Sequence, residues 1–258
     1  MKLKHTLLAL SLSAFAASAG ANTLVSTNSL QNGLNAITDG DFYDVNADQY
    51  NPDEVWNITA TGGSISRLIF EFASFENDAK FGIYDVNDKT NTLQIFDGAS
   101  CGAADTSCTP QLNLATTANL SGTTFSTALF GQPATSATFS SENFGYYLTS
   151  AQGTFYSQAS LNVDVADDVH GNTTDHMIAF RGDDKTQIDV NGGTSYDTFS
   201  PGEYILAWED LLFPNSDYDY SDFVVFVESV ESVPEPGTLA LLGLGLAGLG
   251  AARRRQKA

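Results

Sequence analysis

Basic residues are scarce in the body of this chain, which we define as residues 22–233. Six of the 11 Lys and Arg lie in the two ends outside the body, whereas 30 of the 31 Asp and Glu lie inside it. The body therefore sets 30 acidic residues against 5 basic ones, a formal charge of −25. A surface this negative repels nucleic acid and anionic lipid, and it attracts cations. We therefore expect no nucleic-acid partner.

Histidine is nearly absent, and few of the residue patterns typical of enzymes are present. Of the three histidines, His5 lies in the N-terminal end, and the spacing of His170 and His176 fits no zinc motif. The chain also has no phosphate-binding loop ending in Gly-Lys-Ser or Gly-Lys-Thr. The sequence therefore favours a protein that is not an enzyme.

Cysteine occurs only twice, in the stretch CGAADTSC that begins at Cys101 and ends at Cys108. Metal or redox chemistry would require further ligands or a Cys-x-x-Cys spacing, and neither is present. Two close cysteines in an exported chain most simply form one disulfide that closes a small loop. We predict a Cys101–Cys108 disulfide.

The first 21 residues have the features of a secretory signal peptide. Lys2 and Lys4 form a basic start, a mostly apolar segment follows, and small residues precede both Ala19 and Ala21. This order is typical of a signal helix that signal peptidase removes. Cleavage after Ala19 and cleavage after Ala21 both remain open.

The other end of the chain, residues 232–258, combines three features in a fixed order. Pro234-Glu235-Pro236 comes first, an uncharged run follows over residues 237–252, and a basic cluster closes the chain with Arg253, Arg254 and Arg255. The run has 16 residues, slightly fewer than the ~20 of a typical membrane-spanning helix. The basic cluster should stay in the cytoplasm. A simple tail anchor is one explanation of this pattern.

This end also resembles the PEP-CTERM sorting signal of Gram-negative bacteria. The resemblance implies that exosortase, a membrane enzyme, processes the protein. The hydrophobic sorting helix would hold an intermediate in the inner membrane, and the product would reach the cell surface or the extracellular space. The resemblance also implies a setting of exopolysaccharide and biofilm.

The residue pattern of the body predicts an all-β fold. Short runs rich in β-branched and aromatic residues recur between clusters of Gly, Asn, Asp and Ser, and no segment keeps a helical period over three turns. This pattern predicts an antiparallel, jelly-roll-like β-sandwich over residues 61–231. Residues 22–60 are polar and less regular, and we expect a leading extension there. The run Phe223–Val227 is apolar throughout, which predicts a central strand covered on both faces.

Several of these runs resemble the domain-of-unknown-function family numbered 4114. The resemblance extends from Ser64 to Val230 and rests on the segments FGIYD, FGYYL, DHMIAFRG, EYILAWEDL and SDYDYSDFVVFVESV. It implies an exported β-rich domain and brings no established activity.

Five carboxylates crowd the stretch EDLLFPNSDYDYSDF: Glu209, Asp210, Asp217, Asp219 and Asp222. Carboxylates two residues apart in an extended chain project to the same side, and without a cation they would repel each other. Calcium prefers six to eight oxygen ligands and tolerates irregular loops, so we predict Ca²⁺ here. An EF-hand is excluded because Asp222 stands where that loop requires glycine. The alternative is a turn whose acidic side chains face water.

A second, weaker candidate lies near the N-terminal end of the body. Asp44, Asn46 and Asp48 copy the first half of a calcium loop, but Gln49 replaces the turn glycine. An Asx turn is the alternative.

These observations lead to three functional hypotheses. The first is a non-enzymatic, calcium-stabilised protein of the cell envelope or extracellular matrix, associated with exopolysaccharide. The second is a carbohydrate-binding module that uses surface aromatic side chains. The third is a secreted hydrolase.

Overall fold

A computed structural model describes residues 28–39, 43–61, 63–70, 79–97, 115–129, 133–163, 174–190, 196–213, 215–234 and 244. The predicted signal peptide, both cysteines and nearly all of the apolar C-terminal run lie outside these residues. Among the residues that are described, no helix has the length and apolar character needed to cross a membrane.

Strands dominate the described residues. In chain order the elements are α1 (Asn28–Ile37), β1 (Thr38–Asp39), β2 (Trp56–Ile58), β3 (Ser64–Phe70), β4 (Lys80–Asp85), β5 (Asp88–Asp97), β6 (Ala115–Ser121), β7 (Thr124–Leu129), β8 (Thr135–Thr138), β9 (Phe144–Ser150), β10 (Gly153–Tyr156), a 3-10 turn (Ala159–Leu161), β11 (Met177–Arg181), β12 (Gln187–Ile188), β13 (Asp197–Thr198), β14 (Glu203–Trp208), β15 (Phe223–Glu228) and β16 (Val230–Ser232).

The strands form three antiparallel sheets. The largest has seven strands in the order β11-β14-β15-β3-β6-β7-β8. The second has the order β16-β2-β9-β4-β5, and β10 pairs with β9. A small third sheet has the order β1-β12-β13. The prediction of a mostly β protein with antiparallel sheets is therefore confirmed.

The two large sheets pack face to face across an aromatic core. Phe81 on β4 lies 6.1 Å from Trp208 on β14 and 5.8 Å from Phe223 on β15, measured between ring centroids. All three side chains are buried. Aromatic rings at these distances contribute packing energy beyond the area they bury. This arrangement is the sandwich that the sequence predicts, and a jelly-roll order of connections stays a prediction.

The central strand β15 contributes to two cores. Because successive side chains of a strand point to opposite faces, Val225 and Val227 enter the core between the large sheets, whereas Val224 and Phe226 enter a second core on the outer face. The prediction that Phe223–Val227 forms a central strand covered on both faces is confirmed.

The N-terminal part of the body covers that outer face. Leu30 and Leu34 of α1 are fully buried in the second core. The Tyr43 hydroxyl donates a hydrogen bond to the carbonyl of Arg181 on β11 at 2.6 Å. This N-terminal part of segment 22–60 therefore packs against the sandwich, whereas β2, at the end of the segment, is itself a strand of the second large sheet.

Candidate metal centre

The register of the central hairpin brings two of the predicted acidic residues together. Trp208, the last residue of β14, lies directly opposite Phe223, the first residue of β15. Glu209 follows the first of these residues, and Asp222 precedes the second. The backbone N–H of Asp210 donates to Oδ2 of Asp222 at 2.9 Å, which closes this end of the hairpin.

Three of the five predicted carboxylates form a compact group. Glu209, Asp219 and Asp222 each offer an oxygen, and these oxygens lie within 4.8 Å of one another. Glu209 is fully buried, and Asp219 and Asp222 keep only 8% and 9% of their surface exposed. Among the described residues this is the sole such group of three His, Cys, Asp or Glu side chains.

Two carboxylate oxygens at this site are buried without a hydrogen-bond partner among the described residues. They are Oε2 of Glu209 and Oδ2 of Asp210. Oε1 of Glu209 accepts a long hydrogen bond, 3.3 Å, from the N–H of Leu211. Burying a charged group that has no hydrogen-bond partner costs on the order of several kcal/mol of folding free energy. A bound cation is one way to remove that cost.

The same burial raises the pKa of Glu209, Asp210 and Asp222. Burial first, and then the charge of Asp222, raise the pKa of Glu209 to about 9. Burial and the charge of Asp210 raise the pKa of Asp222 to about 7. Burial and the charge of Glu209 raise the pKa of Asp210 to about 6. At neutral pH the Glu209 carboxyl group therefore either retains a proton or requires a neutralising cation.

Asp217 does not join the buried group, although it was predicted with the others. Tyr218 and Tyr220 have φ angles of 57° and 53°, so the chain through Asp217 and Asp219 is not extended, and the alternation expected for a strand does not apply. Asp217 is exposed, whereas Asp219 is buried and accepts hydrogen bonds from the N–H and the hydroxyl of Ser221, both at 2.8 Å.

Left-handed backbone at two tyrosines indicates that the loop is held by its side chains, since such residues rarely adopt it unaided. Both tyrosines are buried. The Tyr220 hydroxyl donates to the carbonyl of Asp175 at 2.7 Å, and Ser216 Oγ accepts the N–H of Tyr218 at 2.9 Å. The loop is thus fixed to the segment before β11.

A stack of four rings supports the acidic group, and His176 is its centre. The ring of His176 lies 4.1 Å from Phe155 and 4.3 Å from Phe213, and Phe213 lies 4.8 Å from Tyr218. His176 is fully buried. The sequence does not reveal this role of His176, because its ring partners come from distant parts of the chain and no spacing connects them.

The weaker candidate, Asp44, Asn46 and Asp48, forms a hydrogen-bonded turn. Oδ1 of Asp44 accepts the N–H groups of Asn46 and Ala47, both at 2.9 Å, and Oδ2 of Asp48 accepts the N–H of Asp44 at 2.7 Å. All three predicted residues are exposed. This is the geometry of an Asx turn, in which the carboxylates already bind backbone groups.

Aromatic side chains that could stack on sugar rings are mostly internal. Trp56 and Trp208 are both fully buried in the core between the large sheets. Tyr196, with 47% of its surface exposed, is the one large aromatic side chain markedly exposed among the described residues. The tryptophans are therefore unavailable to a carbohydrate.

Comparison with known families adds two matches that follow each other along the chain. Residues 120–230 match the domain of unknown function DUF4114, and this segment contains the whole acidic loop. Residues 232–255 match the PEP-CTERM protein-sorting motif. The chain carries a PEP-CTERM sorting signal. Searches of curated proteins and of solved structures found no significant match.

The sorting signal indicates an exported protein that exosortase processes and that is sorted to the cell surface. Its first proline, Pro234, is exposed and follows β16 almost directly. The other predicted signal residues, Glu235, Pro236, Arg253, Arg254 and Arg255, lie outside the described residues, as do Cys101 and Cys108.

Proposed function

We propose that this is a non-enzymatic protein of the cell envelope or extracellular matrix whose exported β-sandwich is stabilised by one Ca²⁺. The ion would bind at the end of the β14–β15 hairpin, between Glu209, Asp219 and Asp222. The observation that carries the proposal is the buried, unpartnered Oε2 of Glu209 beside two further buried carboxylates.

The donor set favours calcium over other common ions. All three grouped side chains offer carboxylate oxygen, and the one nearby histidine uses Nδ1 toward the carbonyl of Glu209, at 2.9 Å. Zinc sites normally include His nitrogen or Cys sulfur. Magnesium requires a near-ideal octahedron and retains several waters, which a buried, irregular group does not favour. Calcium accepts irregular oxygen cages of six to eight ligands, to which backbone carbonyls and Asp210 could contribute.

The burial of the same group supports a non-enzymatic role. Glu209 has no exposed surface, so a polymeric substrate could not reach its carboxyl group. A general acid or nucleophile must lie within hydrogen-bond reach of the reacting atoms. The raised pKa of Glu209 follows from burial beside Asp222, a setting that suits a bound cation better than acid catalysis.

Thermal unfolding of the exported protein, purified from cells, tests the calcium site. Excess Ca²⁺ should raise the melting temperature above that in EDTA by roughly 5–10 °C when free calcium is about 100 times Kd. Magnesium at the same concentration should have a much smaller effect. Identical melting curves in calcium and EDTA would refute the proposal.

Substitutions of the grouped carboxylates test whether the ion binds between them. Glu209→Gln combined with Asp219→Asn should abolish the calcium-dependent shift, because it removes two of the three grouped carboxylates. Asp217→Asn is the matched control, since this acidic residue lies in the same loop but is exposed. It should keep the shift. If the double variant also keeps the shift, calcium binds elsewhere.

The envelope setting has its own test. We propose that the sorted protein associates with exopolysaccharide, which the sorting signal supports by analogy alone. Cell fractionation should recover the processed protein with the surface polysaccharide, and a strain without that polymer should release it into the medium. Equal retention by both strains would contradict this association.

A further inference from the structure

The last strand of the sandwich runs directly into the sorting signal. β16 forms the edge of its sheet and pairs with β2, placing Glu231 opposite Asn57 and Ser232 opposite Trp56. The pairing continues one residue further, because the N–H of Val233 donates to the carbonyl of Val55 at 2.7 Å. The next residue, Pro234, opens the Pro-Glu-Pro motif.

Buried contacts hold this short strand in place. Val230 has no exposed surface and belongs to the core between the large sheets. Ser232 is 7% exposed, and its hydroxyl lies 3.2 Å from the hydroxyl of Tyr50. Glu231, between them, is exposed. β16 is thus a strand of three residues held by two inward side chains, by β2, and by a hydrogen bond from the N–H of Val230 to the carbonyl of Gly202 at 3.2 Å.

The domain and the signal overlap in sequence. The match to the sorting motif begins at Ser232, inside β16, and the last backbone hydrogen bond to β2 is made by Val233. Only residues 234–236 separate this bond from the uncharged run that begins at Gly237. Three extended residues span about 10 Å. Because no linker separates β16 from the motif, an enzyme cannot bind several residues before the motif while β16 stays paired with β2.

Enzymes and receptors that bind unfolded segments commonly take the chain as an added β-strand, through its backbone N–H and C=O groups. Upstream of the Pro-Glu-Pro motif, the residues available for such binding are those of β16. We infer that β16 serves two partners in turn: it pairs with β2 in the folded domain, and it detaches to enter the processing enzyme as an extended strand. The enzyme therefore binds the extended backbone before the motif, which in the native chain is that of Val230–Val233, and the β16–β2 pairing limits the rate of processing.

A disulfide across the pairing tests this inference in cells that process the wild-type chain. Asn57→Cys with Glu231→Cys places two cysteines directly opposite each other. Pulse-chase labelling should show processing slowed by about tenfold or more once the disulfide holds the strand in the sheet. The single variants N57C and E231C serve as references without a cross-link, and the double variant should match their rate once a reductant breaks its disulfide. Normal processing of the cross-linked chain would overturn the inference.

A linker insertion distinguishes two explanations of slow processing: a strand that cannot detach, and a domain that the cross-link has damaged. A flexible Gly-Ser segment of about ten residues inserted between Val233 and Pro234 gives the enzyme free chain without opening β16. In the cross-linked protein this insertion should restore processing to the rate of the same insertion without the cross-link. If processing stays slow, the β16–β2 pairing is not what limits it, and the inference is wrong.

Loosening the strand gives a test that needs no cross-link. Ser232→Ala with Tyr50→Phe removes the two hydroxyls that meet between β16 and the body. Processing should become several-fold faster in this variant, and the linker insertion should abolish the difference from wild type. An unchanged rate would count against the inference. The inference depends on the sorting signal and is independent of calcium, since none of these variants touches the acidic group.

Discussion

His176 and Glu209 are joined by two reciprocal hydrogen bonds. The N–H of Glu209 donates to the carbonyl of His176 at 3.0 Å, and Nδ1 of the His176 ring lies 2.9 Å from the carbonyl oxygen of Glu209. Because a carbonyl only accepts, Nδ1 must carry the hydrogen. A fully buried histidine thus fixes the backbone of the residue that contributes the most buried carboxylate of the candidate metal centre.

This pairing predicts separable effects of two substitutions. His176→Phe keeps a ring in the stack but removes the bond to the Glu209 carbonyl, and it should cost about 1–3 kcal/mol in the free energy of unfolding. His176→Ala also removes the ring between Phe155 and Phe213 and should cost about 3–5 kcal/mol. Urea unfolding measures both. Equal costs would mean that the stacking contributes nothing.

The stability of the metal-free protein should fall as pH rises. The pKa of Glu209 is about 9 in the folded protein, far above its ordinary value of 4.5. A raised carboxyl pKa stabilises the fold fully below about pH 4.5, and this contribution is lost as pH rises toward about 9. Melting temperatures in EDTA between pH 5 and 9 should therefore decrease.

Glu209→Gln is the control for that pH dependence. The amide cannot ionise, so the EDTA-treated variant should lose the part of the decline that Glu209 causes and should be the more stable protein at pH 9. In calcium the order should reverse, because the wild-type carboxylate then binds the ion. A variant with the same pH profile as wild type would show that Glu209 does not titrate in this range.

The core between the large sheets predicts a strong effect at Phe81. This side chain is fully buried and contacts rings from both sheets, including Tyr146 at 5.4 Å and Phe223 at 5.8 Å. Phe81→Ala should destabilise the protein by about 3–5 kcal/mol in chemical unfolding. Ser136→Ala, on the exposed edge strand β8, should change stability by less than about 0.5 kcal/mol.

The surroundings of Gly145 leave no space for a larger side chain. A Cβ atom at this position in β9 would overlap the ring of Tyr84 on the neighbouring strand β4. Gly145→Ala should therefore cost about 1–3 kcal/mol, measured by urea unfolding. Tyr84→Ala in the same chain would remove the clashing ring, so the added cost of Gly145→Ala should disappear in that background. An undiminished cost would point to a backbone effect instead.

Local patterns in the sequence predicted the strands better than they predicted the site. The apolar run Phe223–Val227 is long enough, and apolar enough on both faces, to require burial on both sides, and β15 satisfies that requirement. The crowding of acidic residues after Trp208 also indicated where charge would collect. Both predictions depend only on residues that are close together in the sequence.

Which acidic residues meet depends on non-local geometry. Glu209 and Asp222 come together because Trp208 pairs with Phe223, a register that residue spacing alone does not reveal. Asp217 stays outside because Tyr218 and Tyr220 adopt left-handed backbone, which their residue type disfavours. The ring stack on His176 joins three separate segments, so no local pattern could have predicted it.

The pairing of β3 with β15 has a consequence for the order in which the protein can fold. Ser64 and Glu228 are joined by a hydrogen bond across 164 positions of the chain, and β15 separates β3 from β14 at the middle of the larger sheet. Contacts between such distant segments form late and slowly. A chain that crosses the membrane from its N-terminus must therefore deliver residues 223–228 before the sheet can close. The larger sheet cannot be completed until nearly the whole body has been exported.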